Sequence, residues 1–129
     1  MKRSFVLLLA VYGCTPATPV APVTSKQDAG GQLSLAEKGK ALVAAKGCIA
    51  CHSADGSRMV GPSYKGIYGT DVKLADGSIV KVDDAYIRES IENPMAKIVA
   101  GFPPTMPVYK GIVKEEEIVA ITEYIKSLK

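Results

Sequence analysis

The sequence predicts a small all-α domain of three to four helices, with one β-hairpin excursion, over residues 34–129. Three observations carry that expectation: a capped amphipathic segment at residues 34–46, a second at 115–128, and a third stretch at 83–92 that an Asn-Pro step ends. The chain has 129 residues, a one-domain length once its unusual first third is set aside. A core that small commonly needs a staple, whether metal, cofactor or disulfide. The three cysteines, Cys14, Cys48 and Cys51, cannot all pair within the chain, so one of them has another role.

The first third reads as export and tether. Met1-Lys2-Arg3 followed by the apolar run from Phe5 to Val11 has the charged start and short hydrophobic stretch of a secretory signal, removed over residues 1–13. The run is too short to span a bilayer, which takes about 20 apolar residues. Val11-Tyr12-Gly13-Cys14 resembles a bacterial lipoprotein cleavage site, in which Cys14 becomes the lipid-modified first residue. Tyr12 departs from that pattern, which usually has a small residue there, and a free or intermolecularly paired thiol is the alternative. Residues 14–33 carry Pro16, Pro19, Pro22 and Gly30-Gly31 with little that is large and apolar. Extended as polyproline, Thr15 to Gln32 would reach on the order of 55 Å at about 3.1 Å per residue.

Folded sequence begins at Ser34-Leu35-Ala36-Glu37, a Ser-x-x-Glu capping box whose hydroxyl and carboxylate can satisfy amides left open at a helix start. The helix runs to about Lys46, with Leu35, Leu42 and Val43 near helical spacing and Gly39 offering a flat place for another helix to cross. Val72 to Leu74 and Ile79 to Val82 flank Ala75-Asp76-Gly77-Ser78, and Asp-Gly is a strong hairpin signal. Asp83 or Asp84 can cap the next helix, which presents Ala85, Ile87 and Ile91 and stops at Asn93-Pro94. Gly101 to Gly111 holds three prolines and is expected to be loop. The last helix, from Glu115 to Leu128, places Ile118, Ile121, Ile125 and Leu128 on one stripe beside Tyr124, with Glu115, Glu116 and Glu117 at the favourable end of its dipole. Neither terminal helix is stable alone, so packing them together is the economical solution.

Cys48-Ile49-Ala50-Cys51-His52 is the Cys-x-x-Cys-His pattern of covalent haem c attachment. Two thiols three positions apart can each add across one haem vinyl group, and the adjacent imidazole is then held over the iron. A zinc site would need about four ligands, and the chain has no second cysteine pair and no other histidine. A thioredoxin-like redox pair would follow a strand in a βαβ unit, which this helical pattern lacks. A plain Cys48–Cys51 disulfide is the remaining alternative. Haem needs a sixth ligand, and a Met thioether is the pairing that suits electron transfer. Met1 leaves with the signal, Met59 lies on the stretch expected to wrap the His52 side, and Met95 sits just past a helix end. Met106, in the Pro-stiffened run from Phe102 to Pro107, is the favoured ligand and Met95 the second candidate.

Gly39, Cys48-x-x-Cys51-His52, Gly61-Pro62, Met106-Pro107 and Tyr124 at helical spacing from Leu128 together resemble a class I (mitochondrial-type) cytochrome c. Within that family the stretch from Gly47 to Tyr109 is similar to the cytochrome c domain fused to subunit II of some bacterial haem-copper oxidases. The residues that carry this likeness are Leu74-Ala75-Asp76-Gly77, Tyr86 to Ile91, Asn93-Pro94 and Ala96 to Pro104. The resemblance covers roughly residues 34–129 and implies the class I cytochrome c fold around one covalently bound haem c. It implies that the Pro62 carbonyl accepts the second imidazole hydrogen of His52, and that Tyr64, Arg88 and Tyr109 line the pocket or meet the haem propionates. The oxidase subunit also carries a membrane hairpin and a copper-binding domain. With the one histidine assigned to haem, the expectation here is a free-standing relative without copper, tethered by lipid where the relative is fused.

The function this implies is a monohaem electron carrier on the outer face of a membrane, lipid-anchored and extracytoplasmic. It would pass single electrons between membrane-bound redox proteins, a donor complex and a terminal oxidase. No small-molecule substrate is implied. The rivals are a peroxidase-like domain with an open iron, a gas sensor whose Met ligand dissociates, and a structural subunit of a larger oxidase complex. The formal net charge of +3 falls to +1 once Lys2 and Arg3 leave with the signal, and no basic run suggests nucleic acid. Lys38, Lys40, Lys46, Lys65, Lys73, Lys97, Lys110 and Lys114 flank the segments placed near the cofactor, while acids gather at residues 83–92 and 115–123. That pattern fits either a docking face or an ordinary solvated surface.

Overall fold

A computed structural model describes residues 33–129, so the expected signal peptide, Cys14 and nearly all of the tether lie outside the described residues. Helix α1 (Leu35–Ala45) opens on the expected box: the Ser34 amide donates to the Glu37 carboxylate at 2.8 Å and the Glu37 amide donates to the Ser34 hydroxyl at 3.2 Å. At the other end, helix α3 (Glu115–Ser127) starts with the Lys114 amide donating to the Glu117 carboxylate at 2.8 Å. The two helices cross at Gly39, where a Cβ would lie 2.6 Å from the Ala120 carbonyl carbon and 2.7 Å from the Tyr124 Cβ. Only glycine lets the backbones approach that closely. Val43, Ile118, Ile121, Tyr124 and Ile125 form the core around the crossing. Leu35, one turn before the crossing, is 48% exposed and takes no part in that core, contrary to the sequence expectation, and Leu128 is only half-buried.

Strands β1 (Asp71–Lys73) and β2 (Ile79–Lys81) pair antiparallel with Val72 opposite Val80. The turn closes through Leu74, whose amide donates to the Ser78 carbonyl at 2.8 Å and whose carbonyl accepts from the Gly77 amide at 3.0 Å, with Gly77 at φ 90°. This is the three-residue loop with a left-handed glycine that Asp-Gly favours. The hairpin is more than an excursion. Leu74 bridges Val99 antiparallel, and the Ala100 amide donates to the Lys73 carbonyl at 2.9 Å, so the hairpin braces the segment leading to Met106.

Helix α2 (Asp84–Glu92) is capped by Asp83, whose side chain accepts from the Tyr86 amide at 2.8 Å, and it ends at Asn93 before Pro94. Tyr86, Ile87 and Ile91 are its buried face. Ala85, two residues before Ile87 and so on the far side of the helix, is exposed rather than buried as expected. The fold thus comprises three α-helices and one two-stranded sheet among the described residues, as predicted. None of these helices is long and apolar enough to cross a membrane.

Candidate functional site

Gly47, at φ 78°, ends α1 in the left-handed conformation, and its amide donates to the Ala44 carbonyl at 3.1 Å. The reversal feeds directly into a 3₁₀ turn over Cys48–Ala50. The Cys51 and His52 amides both donate to the Cys48 carbonyl, at 3.1 and 3.0 Å, so the two thiols and the imidazole are held on a single turn. Both cysteines are half-buried and neither is in a disulfide. Burial pushes the Cys48 thiol pKa up, against smaller opposing effects that include the Tyr64 hydroxyl and Lys46. The thiol is therefore kept in its neutral form.

His52 is fixed by the loop that follows it. Its Nδ1 lies 2.7 Å from the Pro62 carbonyl, and a carbonyl can only accept, so Nδ1 carries the hydrogen. Nε2 is left with its lone pair, the form in which imidazole binds a metal. Burial lowers the His52 pKa, with the Pro62 contact opposing it more weakly, which keeps the ring neutral. Gly61 packs under the ring: a Cβ there would lie 2.8 Å from both ring nitrogens. The loop itself is knitted by the Gly61 amide to the Cys51 carbonyl at 2.8 Å, the Tyr64 amide to the Ser53 carbonyl at 2.8 Å, and buried Ser53, whose hydroxyl donates to the Ser57 carbonyl at 2.6 Å. Tyr64 stacks on the imidazole, with centroids 4.9 Å apart and planes 9° from parallel.

These groups line an apolar cavity of about 360 Å³. Its wall includes Cys48, Cys51, His52, Pro62 and Tyr64, the α2 residues Tyr86, Ile87 and Ile91, the α3 residues Ile121 and Ile125, and much of the segment from Pro94 to Tyr109. Both Met95 and Met106 are in the lining, whereas Met59 is not. Met106 is half-buried against the core and Met95 is 47% exposed. The donor set suits haem: two thiols on one turn, an imidazole with its Nε2 lone pair available, two thioethers in the same lining, and an apolar chamber in which a macrocycle can be shielded.

The structure treats the other expected residues unequally. Tyr109 lines the cavity and also ties its wall to α1, its hydroxyl donating to the Lys46 carbonyl at 3.2 Å. Burial pushes the Tyr64 pKa up, so its hydroxyl stays protonated. Arg88 is a correction: it is absent from the cavity lining and its guanidinium pairs with both carboxylate oxygens of Glu115, joining α2 to the start of α3. It sits one position past the inward pair Tyr86 and Ile87, which turns it toward α3. Two of the lysines considered for a docking face are partnered within the chain, Lys46 with Glu117 at 3.1 Å and Lys97 with Glu89. Phe102, Ile98 and Arg58 are not among the site residues that the sequence predicts. Phe102 and Ile98 line the cavity, and Arg58 places its guanidinium 4.8 Å from the Phe102 ring centroid.

A family model described as Cytochrome c matches residues 36–129. Similar proteins include cytochrome c2 iso-1 of Magnetospirillum fulvum, 34% identical over 92 residues, which span 64% of this chain and 91% of that protein. Another is cytochrome c2 iso-2 of Magnetospirillum molischianum, 32% identical over 90 residues, with 64% and 91% covered.

Proposed function

The chain belongs to the cytochrome c family, and from that premise we propose that it carries single electrons on the outer side of a membrane with His52 and Met106 as the axial ligands of its haem. As a c-type cytochrome it binds one haem c covalently and carries electrons. In this reading Cys48 and Cys51 supply the two thioethers. The observation that carries it is that one apolar cavity is lined by Cys48, Cys51, His52 and Met106 together. When bound, haem supplies a one-electron iron couple.

The chain's own residues do the rest. Pro62 holds the His52 tautomer and ring plane through the 2.7 Å contact, and Gly61 leaves room for the ring. The aliphatic wall of Ile87, Ile91, Ile121 and Ile125 excludes water, which lowers the local dielectric and limits reorganisation around a changing charge. Met106 is preferred to Met95 because it packs against the core from a Pro-rich segment, whereas Met95 is about half exposed. If His52 and Met106 both held the iron, the protein would leave no coordination site for substrate chemistry, which favours a carrier over a peroxidase-like domain.

The finer reading places the domain at residues 34–129 behind a tether of residues 14–33, anchored through a lipid on Cys14 after removal of residues 1–13. Its partners would be membrane-bound redox proteins, with a terminal oxidase as acceptor. The similarity of residues 47–109 to the oxidase-fused domain and the export-like first residues support this.

The visible spectrum of the purified holoprotein tests the core of the reading. A weak far-red band from sulfur on ferric haem, with no response of the reduced protein to carbon monoxide, is expected. A missing band with strong carbon monoxide binding would replace the carrier with a sensor or an enzyme.

A further inference from the structure

Arg58 lies in the loop that follows His52, yet its side chain reaches the segment that carries Met106. Its Nη2 donates to the Gly101 carbonyl at 2.7 Å while the guanidinium sits 4.8 Å from the Phe102 ring centroid. Among the described residues, this is the one hydrogen bond that joins residues 52–64 to residues 94–107. Its placement is informative. Upstream, the segment is pinned to the hairpin by the Ala100 amide on the Lys73 carbonyl, and downstream the Tyr109 amide donates to the Ile91 carbonyl at 3.0 Å. Between those anchors the backbone makes only short-range bonds, Phe102 amide to Val99 carbonyl at 3.1 Å and Thr105 amide to Pro103 carbonyl at 2.9 Å. Arg58 therefore grips the chain where the span bearing Met106 begins. It does so with a charge-assisted hydrogen bond and a cation–π contact, which the planar guanidinium makes at the same time. Gly101, at φ 83°, supplies the backbone conformation in which this contact is made.

We propose that Arg58 is a positioning residue: it clasps the loop behind His52 to the Gly101-Phe102 turn and thereby restrains Met106 from leaving the cavity. The inference rests on Met106 being the second axial ligand. The clasp is a property of the chain's own contacts, so it can be judged separately.

The test uses the haem-loaded full chain and the variants Arg58→Ala, Phe102→Leu and the double substitution. Amide hydrogen exchange is read at Phe102 and Thr105 against the amides of α3, together with equilibrium binding of imidazole to the ferric protein. Losing a charge-assisted hydrogen bond and an exposed cation–π contact should accelerate exchange at Phe102 and Thr105 about tenfold and raise imidazole affinity about tenfold. The α3 amides should be unchanged, and the double variant should gain little beyond Arg58→Ala, because the two residues act as one contact. Unchanged exchange at Phe102 and Thr105, an equal rise in α3, or fully additive single effects would each overturn the clasp. Failure of the ligand reading looks different: the sulfur band would survive Met106→Ala, whatever the exchange result.

Discussion

Gly39→Ala should loosen the helix crossing that frames the cavity, although alanine is the better helix former. The new Cβ would overlap the Ala120 carbonyl oxygen and stand 2.6 Å from the Ala120 carbonyl carbon and 2.7 Å from the Tyr124 Cβ, where ordinary contact begins at 3.4 Å. Two of those atoms are backbone, so no rotamer change relieves the overlap and the helices must part by roughly 1 Å. A gap of that size forfeits about a quarter to a half of each dispersion contact it opens. Overpacking of this kind costs about 3 kcal/mol, and helix propensity returns about 1, leaving a net loss of about 2 kcal/mol. For a domain of this size the melting temperature should fall by about 8–16 °C. Guanidinium unfolding of the holoprotein, followed by helix circular dichroism and haem absorbance together, measures it. Because α3 supplies Ile121 and Ile125 to the cavity and α1 leads into Gly47 and Cys48, both signals should be lost in one transition at lower denaturant. A neutral or stabilised Gly39→Ala variant would refute the close crossing.

Met106→Ala should abolish the sulfur band, lower the reduction potential by on the order of 100 mV and admit carbon monoxide, while Met95→Ala does none of these; the reverse pattern would move the ligand to Met95. Cys14→Ser should release soluble, haem-loaded protein from membranes, measured by fractionation, and retention of the variant would rule out a lipid on Cys14 as the anchor. The carboxyls held below their ordinary pKa include three with cationic partners: Asp84 through the Tyr68 hydroxyl and Lys126, Glu115 through Arg88, and Glu117 through the Lys114 amide and Lys46. Their folded values are depressed, so the stability they add is present above the ordinary carboxylate range and lost as pH falls through the folded values. The denaturation midpoint should hold between pH 7 and about 5 and drop below about pH 4; a midpoint that rises on acidification would contradict these pairings.

What the sequence made legible follows from the range over which each feature is determined. The Ser34–Glu37 box, the Asp83 cap, the Asp76-Gly77 turn and the Cys48 to His52 spacing depend on neighbours within a few residues, and the structure places each as expected. Gly39 was also readable, because a glycine inside a strong helix pattern invites a packing reason. Burial on a stripe was less so: periodicity ranks Leu35 with Val43, but where α3 crosses decides that Val43 is buried and Leu35 is not. The hairpin's bracing of residues 99 and 100 left no local signal at all, since it is a backbone pairing across 25 or more residues.

The two arginines show how charge escapes a sequence reading. Arg88 sits in a stretch that resembles the oxidase-fused domain, which implies a place in the pocket lining or at the propionates, yet Glu115, 27 residues on, accepts from both its Nη1 and its Nη2. Arg58 had no periodicity and no motif partner, and it is exposed, which normally marks a solvated side chain. What distinguishes the two is the acceptor each finds. A carboxylate on α3 neutralises Arg88 and leaves it a brace between helices, whereas Arg58 meets a neutral carbonyl and a ring on the segment that carries Met106. A long, mobile side chain can reach either kind of partner, so only the folded arrangement of acceptors determines whether its charge braces the scaffold or restrains the span beside the cavity.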